Sequence, residues 1–127
     1  MKNELVIKRC MKCGAVVKVM EDCHCENCGI MCCGEEMQVL TANSVDAAIE
    51  KHVPTYVREG DKIKVKVNHV MEDEHYIEWI CLKTGNREEY VNLEPNKDAV
   101  AEFSIVQTGT LYAYCNKHGL WSVKIDE

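Results

Sequence analysis

Apolar and polar residues follow two different patterns along this chain. From Lys62 onward they alternate: Ile63, Val65, Val67 and His69 share one parity, while Lys62, Lys64, Lys66 and Asn68 take the other. A period of two predicts a half-buried strand. The stretch "EHYIEWICLKTG" repeats the device and predicts His75, Ile77, Trp79 and Cys81 on one face before a turn at "KTGN". "EEYVNL", "VAEFSIVQ", "TLYAYC" and "LWSVKID" read as further strands, each bounded by Gly, Pro, Asn or Asp. Six or seven short strands at intervals of roughly 8 to 12 residues, with little helical periodicity, predict an antiparallel sandwich. The first part differs. From Asn3 to Lys18 two strand-like runs, "ELVIKRC" and "AVVKVM", flank a "MKCG" turn, and a second turn carries "CCGEEM". "MQVLTANSVDAAIEKHVP" reads as a linker and then a short helical turn stopped by Pro54. The expectation is an all-β chain: a small cysteine-rich module over residues 1–38 and a β-sandwich over residues 39–127.

Composition sharpens the division. Seven of the nine cysteines, Cys10, Cys13, Cys23, Cys25, Cys28, Cys32 and Cys33, fall in the first 33 residues, and Cys81 and Cys115 are scattered through the rest. A module of under about 40 residues buries too little apolar surface to fold unaided, so a metal is expected to supply the missing stability. The opening "MKNELVIKRC" alternates charge and aliphatics, unlike a secretory leader, and no apolar run is long enough to span a bilayer. A soluble, cytoplasmic protein without a membrane partner is expected. In a reducing compartment, dense Cys-x-x-Cys spacing points to metal or redox chemistry rather than a disulfide framework. The net charge of -6, with basic residues interspersed among acids, argues against nucleic acid as a partner.

The histidines carry the chemistry. His69 and His75 flank the acidic "MEDE", which reads as a hairpin loop with both imidazoles at its mouth. His52 sits in "EKHVP", where the proline is expected to hold it in an extended or polyproline conformation. Cys115 ends the "TLYAY" strand, and His118 follows in a turn closed by Gly119. A lone histidine is more often a surface or satisfied core residue than a ligand. These four, however, all fall at strand ends or in turns, where binding residues concentrate. The fifth, His24, belongs to the cysteine module and reads as exposed. Zinc prefers four donors in a tetrahedron, whereas four imidazoles and one thiolate suit a six-coordinate iron with one position left for a small reactant. The thiolate would push electron density onto that iron.

"EKHVP", the His-x5-His segment from His69 to His75 and the terminal "CNKHGLW" together resemble the active-site motifs of superoxide reductases. "CMKCGAVVKVMED" followed by "CCGEEM" is similar to the desulforedoxin module that precedes the catalytic domain in desulfoferrodoxins. The resemblance implies His52, His69, His75 and His118 as equatorial ligands and Cys115 as axial ligand of a catalytic iron. It further implies an immunoglobulin-like sandwich, a homodimer, and an iron centre held by Cys10, Cys13, Cys32 and Cys33, with zinc as the alternative ion. The implied reaction is one-electron reduction of superoxide to hydrogen peroxide for detoxification, fed by a rubredoxin-like donor. Lys51 would attract superoxide and help position a proton-donating water, and Glu50 resembles the glutamate that takes the sixth position on the oxidised iron.

One departure leaves an alternative open. The segment between the cysteine pairs of the head is longer than the desulforedoxin pattern and contains "CHCENC". Cys25 and Cys28 could therefore complete a rubredoxin-like or zinc-ribbon knuckle pair with Cys10 and Cys13 in place of Cys32 and Cys33. Cys81, mid-strand beside Trp79, reads as a buried apolar filler. Two other functions remain compatible with the residues: an electron carrier in which only the cysteine head works, and a zinc-stabilised binding protein.

Overall fold

The computed structural model describes residues 5–126; Asn3 and Glu4, which open the first predicted strand, lie outside them. The chain divides into two compact units, 1–41 and 42–127. In the first, β1 (Ile7–Arg9) pairs antiparallel with β2 (Val16–Lys18) on one side and β5 (Gln38–Val39) on the other. A separate hairpin joins β3 (Met31–Cys32) to β4 (Glu35–Glu36). Leu5, Ile7, Cys10 and Met37 are buried there, a small core for so many residues. Lys8 is buried too, at 4% exposure, and its ammonium reaches both carboxylate oxygens of Asp22 at 3.0 Å.

The second unit is all β apart from one 3-10 turn, Ile49–Lys51. β6 (Thr55–Glu59), β7 (Lys62–Lys66) and β10 (Val100–Ser104) form a three-stranded sheet in the order β10-β7-β6. β8 (Ile77–Thr84), β9 (Arg87–Asn92), β11 (Gly109–Cys115) and β12 (Gly119–Ile125) form a four-stranded sheet in the order β12-β11-β8-β9. All the pairings are antiparallel. Alternation along β7 buries Ile63 and Val65 and exposes the three lysines, as the period predicts. Those residues meet Phe103, Ile80, Leu82 and Leu111 in one core between the sheets. β6 is absent from the strands that the sequence pattern predicts. It is an edge strand with only Tyr56 half-buried, so it carries no alternation to read. Among the described residues, no helix is long and apolar enough to cross a membrane.

Two expectations fail for identifiable reasons. β7 and β8 are not a hairpin, because they belong to different sheets and residues 67–76 cross from one sheet to the other. The only pairing inside that crossing is the isolated bridge between Glu72 and His75. Nor do Ile77, Trp79 and Cys81 share a face. Tyr114 pairs with Trp79 but Cys115 pairs with Ile77, leaving Glu78 as an extra residue in β8. Such a bulge reverses the parity of the side chains that follow it. Ile77 therefore joins Ile80 and Leu82 in the core, whereas Trp79 turns to the other face and stacks on Tyr114, with ring centroids 5.7 Å apart. Cys81 is fully buried, as expected of a filler.

Candidate metal centres

In the second unit four imidazoles form a closed square. Ring centroids are separated by 4.7 Å for His52–His69, 4.6 Å for His69–His75, 5.0 Å for His75–His118 and 4.9 Å for His118–His52. Each ring meets the next edge to face, with interplanar angles from 68° to 89°. Cys115 joins this group: its Sγ lies 3.4 Å from His69 Nε2 and 3.8 Å from His118 Nδ1. The five donor atoms all lie within 4.8 Å of one another.

Local structure explains each placement. His52 closes the 3-10 turn, its amide bonded to the Ile49 carbonyl, with φ -127° and ψ -36°. It is therefore not extended as expected; the proline restriction falls on Val53, the residue directly before Pro54. His52 Nδ1 lies 2.7 Å from the Ala48 carbonyl and His69 Nδ1 2.5 Å from the Val70 carbonyl. A carbonyl accepts only from a protonated nitrogen, so each ring keeps its Nε2 lone pair for the centre. Cys115 and Gly119 pair across a hairpin whose three loop residues end in His118. Gly119 takes φ +82°, the left-handed position that such a loop requires. A Cys-x-x-His spacing thus becomes two donors at one strand end.

The donor set fits an ion. His75 Nε2 is buried with no hydrogen-bond partner, a costly state unless something else engages it. His52 Nε2 and His118 Nδ1 are 3.0 Å apart. Two nitrogens about 2.1 Å from one metal, at a right angle, would be separated by about 3.0 Å. Burial, reinforced by the neighbouring rings, holds the His69 and His75 pKa values below normal, which keeps them neutral as ligands must be. Burial pushes the Cys115 thiol up, while the amides of Lys117 and His118 oppose it; a bound cation is what would make it a thiolate.

The first unit gathers Cys10, Cys13, Cys32 and Cys33, whose sulfurs also lie within 4.8 Å of one another. Cys10 directly follows β1, and the Cys13 amide donates to its sulfur at 3.4 Å. Cys33 and Gly34 form the two-residue loop of the β3–β4 hairpin with φ +54° and +78°, the pair of left-handed residues that a type I′ turn needs. Sulfur separations are 3.7 Å for Cys13–Cys32 and 3.9 Å for Cys32–Cys33. A tetrahedron with metal–sulfur bonds of about 2.3 Å has edges of about 3.8 Å. The amides of Cys13 and Lys12 bring the Cys10 pKa down to about 6, whereas Cys10 and Cys13 push that of Cys32 up to about 12. Successive thiolates resist one another unless a cation lies between them.

Cys25 and Cys28, the alternative pair, are instead bonded to each other, and Cys23 is an exposed free thiol. His24 is exposed against the Glu21 carboxylate. Glu50 and Lys51 lie exposed on the 3-10 turn immediately before His52, outside the converging donors.

A family model described as desulfoferrodoxin matches residues 44–124. The chain belongs to the desulfoferrodoxin family. It is 40% identical over 128 residues to a desulfoferrodoxin of Clostridium acetobutylicum, covering 98% of this chain and 100% of that one. A superoxide reductase of Pyrococcus horikoshii is 39% identical over 110 residues, covering 67% of this chain and 94% of its own. Among solved structures, the superoxide reductase of Treponema pallidum superposes with a TM-score of 0.73 at 31% identity, over 94% of this chain and 98% of that chain. Iron is the metal that the His4Cys group and the four-cysteine group of this desulfoferrodoxin serve.

Two supporting residues escaped the sequence reading. Asn116 accepts a hydrogen bond from the Tyr76 amide at 3.1 Å and donates to the Glu74 carbonyl at 3.0 Å, tying the Cys115–His118 loop to the segment that carries His75. Trp121 stacks on His52 at 4.8 Å and donates from Nε1 to the His118 carbonyl at 3.0 Å. Both stand in the quoted "CNKHGLW", but nothing in that string says what they touch.

Proposed function

We propose that this chain is a superoxide reductase, catalysing the reaction of superoxide with one electron and two protons to give hydrogen peroxide. The observation that carries the reading is the square of four imidazoles with a thiol sulfur beside it. Five protein donors around an ion that prefers six leave room for one small reactant. When bound, iron supplies the one-electron couple. The residues that would hold it are His52, His69, His75, His118 and Cys115, whose donor atoms converge. The tautomers of His52 and His69 are set by the Ala48 and Val70 carbonyls, and Asn116 and Trp121 hold the ligand loops in register. At net charge -6 the protein as a whole repels superoxide, so capture needs a local cation. Lys51, exposed beside His52, fills that role and orients the water that delivers a proton. Glu50, exposed on the same turn, would be the carboxylate nearest in sequence to the site and would serve as a further oxygen donor to the oxidised ion. Cys10, Cys13, Cys32 and Cys33 would hold a second iron. The finer reading extends to a rubredoxin-like donor, a homodimer, a cytoplasmic location and a role in detoxification.

The test is stoichiometric. Superoxide is generated by pulse radiolysis in the presence of the iron-loaded protein and a reductant, and peroxide and dioxygen are measured together. One peroxide per superoxide with no dioxygen is expected; dioxygen release in proportion to superoxide consumed would make the protein a dismutase and overturn the reading. A chain that holds iron only in its four-sulfur site and leaves superoxide untouched would be an electron carrier.

A further inference from the structure

A second Cys-x-x-Cys lies outside both metal centres. Cys25 and Cys28 are joined by a disulfide, with Cα atoms 5.8 Å apart, and both are exposed. The turn between them places Asn27 at φ +57°, a conformation asparagine tolerates better than most residues. Local backbone geometry alone therefore brings the two cysteines within bonding range. A bond across so short a loop restrains the unfolded chain less than a bond across a longer one, so stabilisation is a weak reason for it. Its exposure is what thiol exchange requires. The turn is also anchored downstream. A Cβ on Gly29 would meet the Glu36 side chain at 2.5 Å, and the Ile30 carbonyl accepts the Met37 amide at 2.8 Å. The turn can open and close its sulfur bond while that anchor stays in place.

We infer that Cys25 and Cys28 are a reversible dithiol–disulfide site, oxidised by hydrogen peroxide and reduced again by an external dithiol. A thiolate of the pair attacks one peroxide oxygen, the O–O bond breaks, and a sulfenic acid and hydroxide form. The other thiol then displaces the sulfenic hydroxyl, and the S–S bond closes. Two electrons pass from the two sulfurs to peroxide, and the two thiol protons leave in two waters. In the return direction a dithiol attacks one sulfur, forms a mixed disulfide, and resolves it with its own second thiol, restoring both protons. The supply of peroxide rests on the reaction proposed above; the thiol chemistry does not.

The experiment uses the full iron-loaded chain, reduced with dithiothreitol and freed of it. One portion is kept reduced, a second receives limiting hydrogen peroxide as reagent, and a third receives the same peroxide and is then reduced again. All are alkylated, digested and weighed by mass spectrometry. The Cys25–Cys28 segment is expected to carry two alkyl groups before peroxide, none after, and two again after dithiothreitol, while Cys23 is alkylated throughout. The double substitution Cys25→Ser with Cys28→Ser should keep the four-sulfur absorption and lose the peroxide-dependent change. A pair that stays alkylatable after peroxide, or stays bonded through dithiothreitol, would overturn the inference. Loss of the four-sulfur absorption in the double variant would overturn it too, by showing that the pair binds metal. Because peroxide is added directly, failure to consume superoxide registers separately.

Discussion

Asn116→Ala removes none of the five metal-ligating side chains, yet it should loosen the iron site. The side chain makes two hydrogen bonds across the gap between the Cys115–His118 loop and the segment carrying His75. At about 1 kcal/mol net for each, their loss should cost about 2 kcal/mol of stability. A backbone bond from the Asn116 amide to the Tyr76 carbonyl, at 3.3 Å, survives the substitution and limits the damage. For a unit of this size that cost lowers the melting temperature by about 8–16 °C. Because the freed segment includes His75, iron affinity should fall by about 10–100-fold, as when an outer partner of a ligand is removed. The assay is chelator-driven iron loss followed by the thiolate-to-iron absorption band, with thermal melts in parallel. Asn116→Asp keeps the acceptor for the Tyr76 amide and loses the donor to Glu74, so it should fall between parent and Ala. If Ala releases iron at the parental rate and melts at the parental temperature, the clamp plays no part in holding the site.

Four further outcomes are expected. Cys115→Ser should abolish the charge-transfer band of the catalytic site while the four-sulfur spectrum remains; a band that persists would assign the iron-bound sulfur elsewhere. Lys51→Ala should slow superoxide capture and flatten its dependence on ionic strength with iron content unchanged, and an unaltered rate would remove Lys51 from the encounter. Joint replacement of Cys32 and Cys33 by serine should bleach the four-sulfur absorption and leave superoxide consumption, as rapid kinetics would report. Asp22→Asn strands the buried Lys8 ammonium and should lower the denaturant midpoint of the first unit at neutral pH. The Lys8 ammonium holds the Asp22 pKa below the ordinary carboxylate value. A depressed pKa contributes stability that is present above about pH 4 and is lost as the pH falls through the folded-state value. The gap between parent and Asp22→Asn should therefore close on acidification; a gap that widens would reverse the sign of the coupling.

The donor types were legible in the sequence because they are chemistry carried by single residues. Cys-x-x-His beside a glycine specifies a tight hairpin loop, and Cys-Cys-Gly a type I′ turn, since local backbone preferences alone decide those geometries. The alternation that buries Ile63 and Val65 is equally local. Only the tertiary structure decided how distant segments meet. His69 and His75 come together because the chain crosses between two sheets, not because a hairpin joins them, and a period of two cannot tell which sheet a strand will enter. The bulge at Glu78 that turns Trp79 away from the core is set by register against β11, a strand more than 20 residues downstream. The work of Asn116 and Trp121 is likewise invisible in one dimension. An amide or an indole shows its role only when a carbonyl, or another ring, is brought within about 3 to 5 Å of it by the packing of the whole unit.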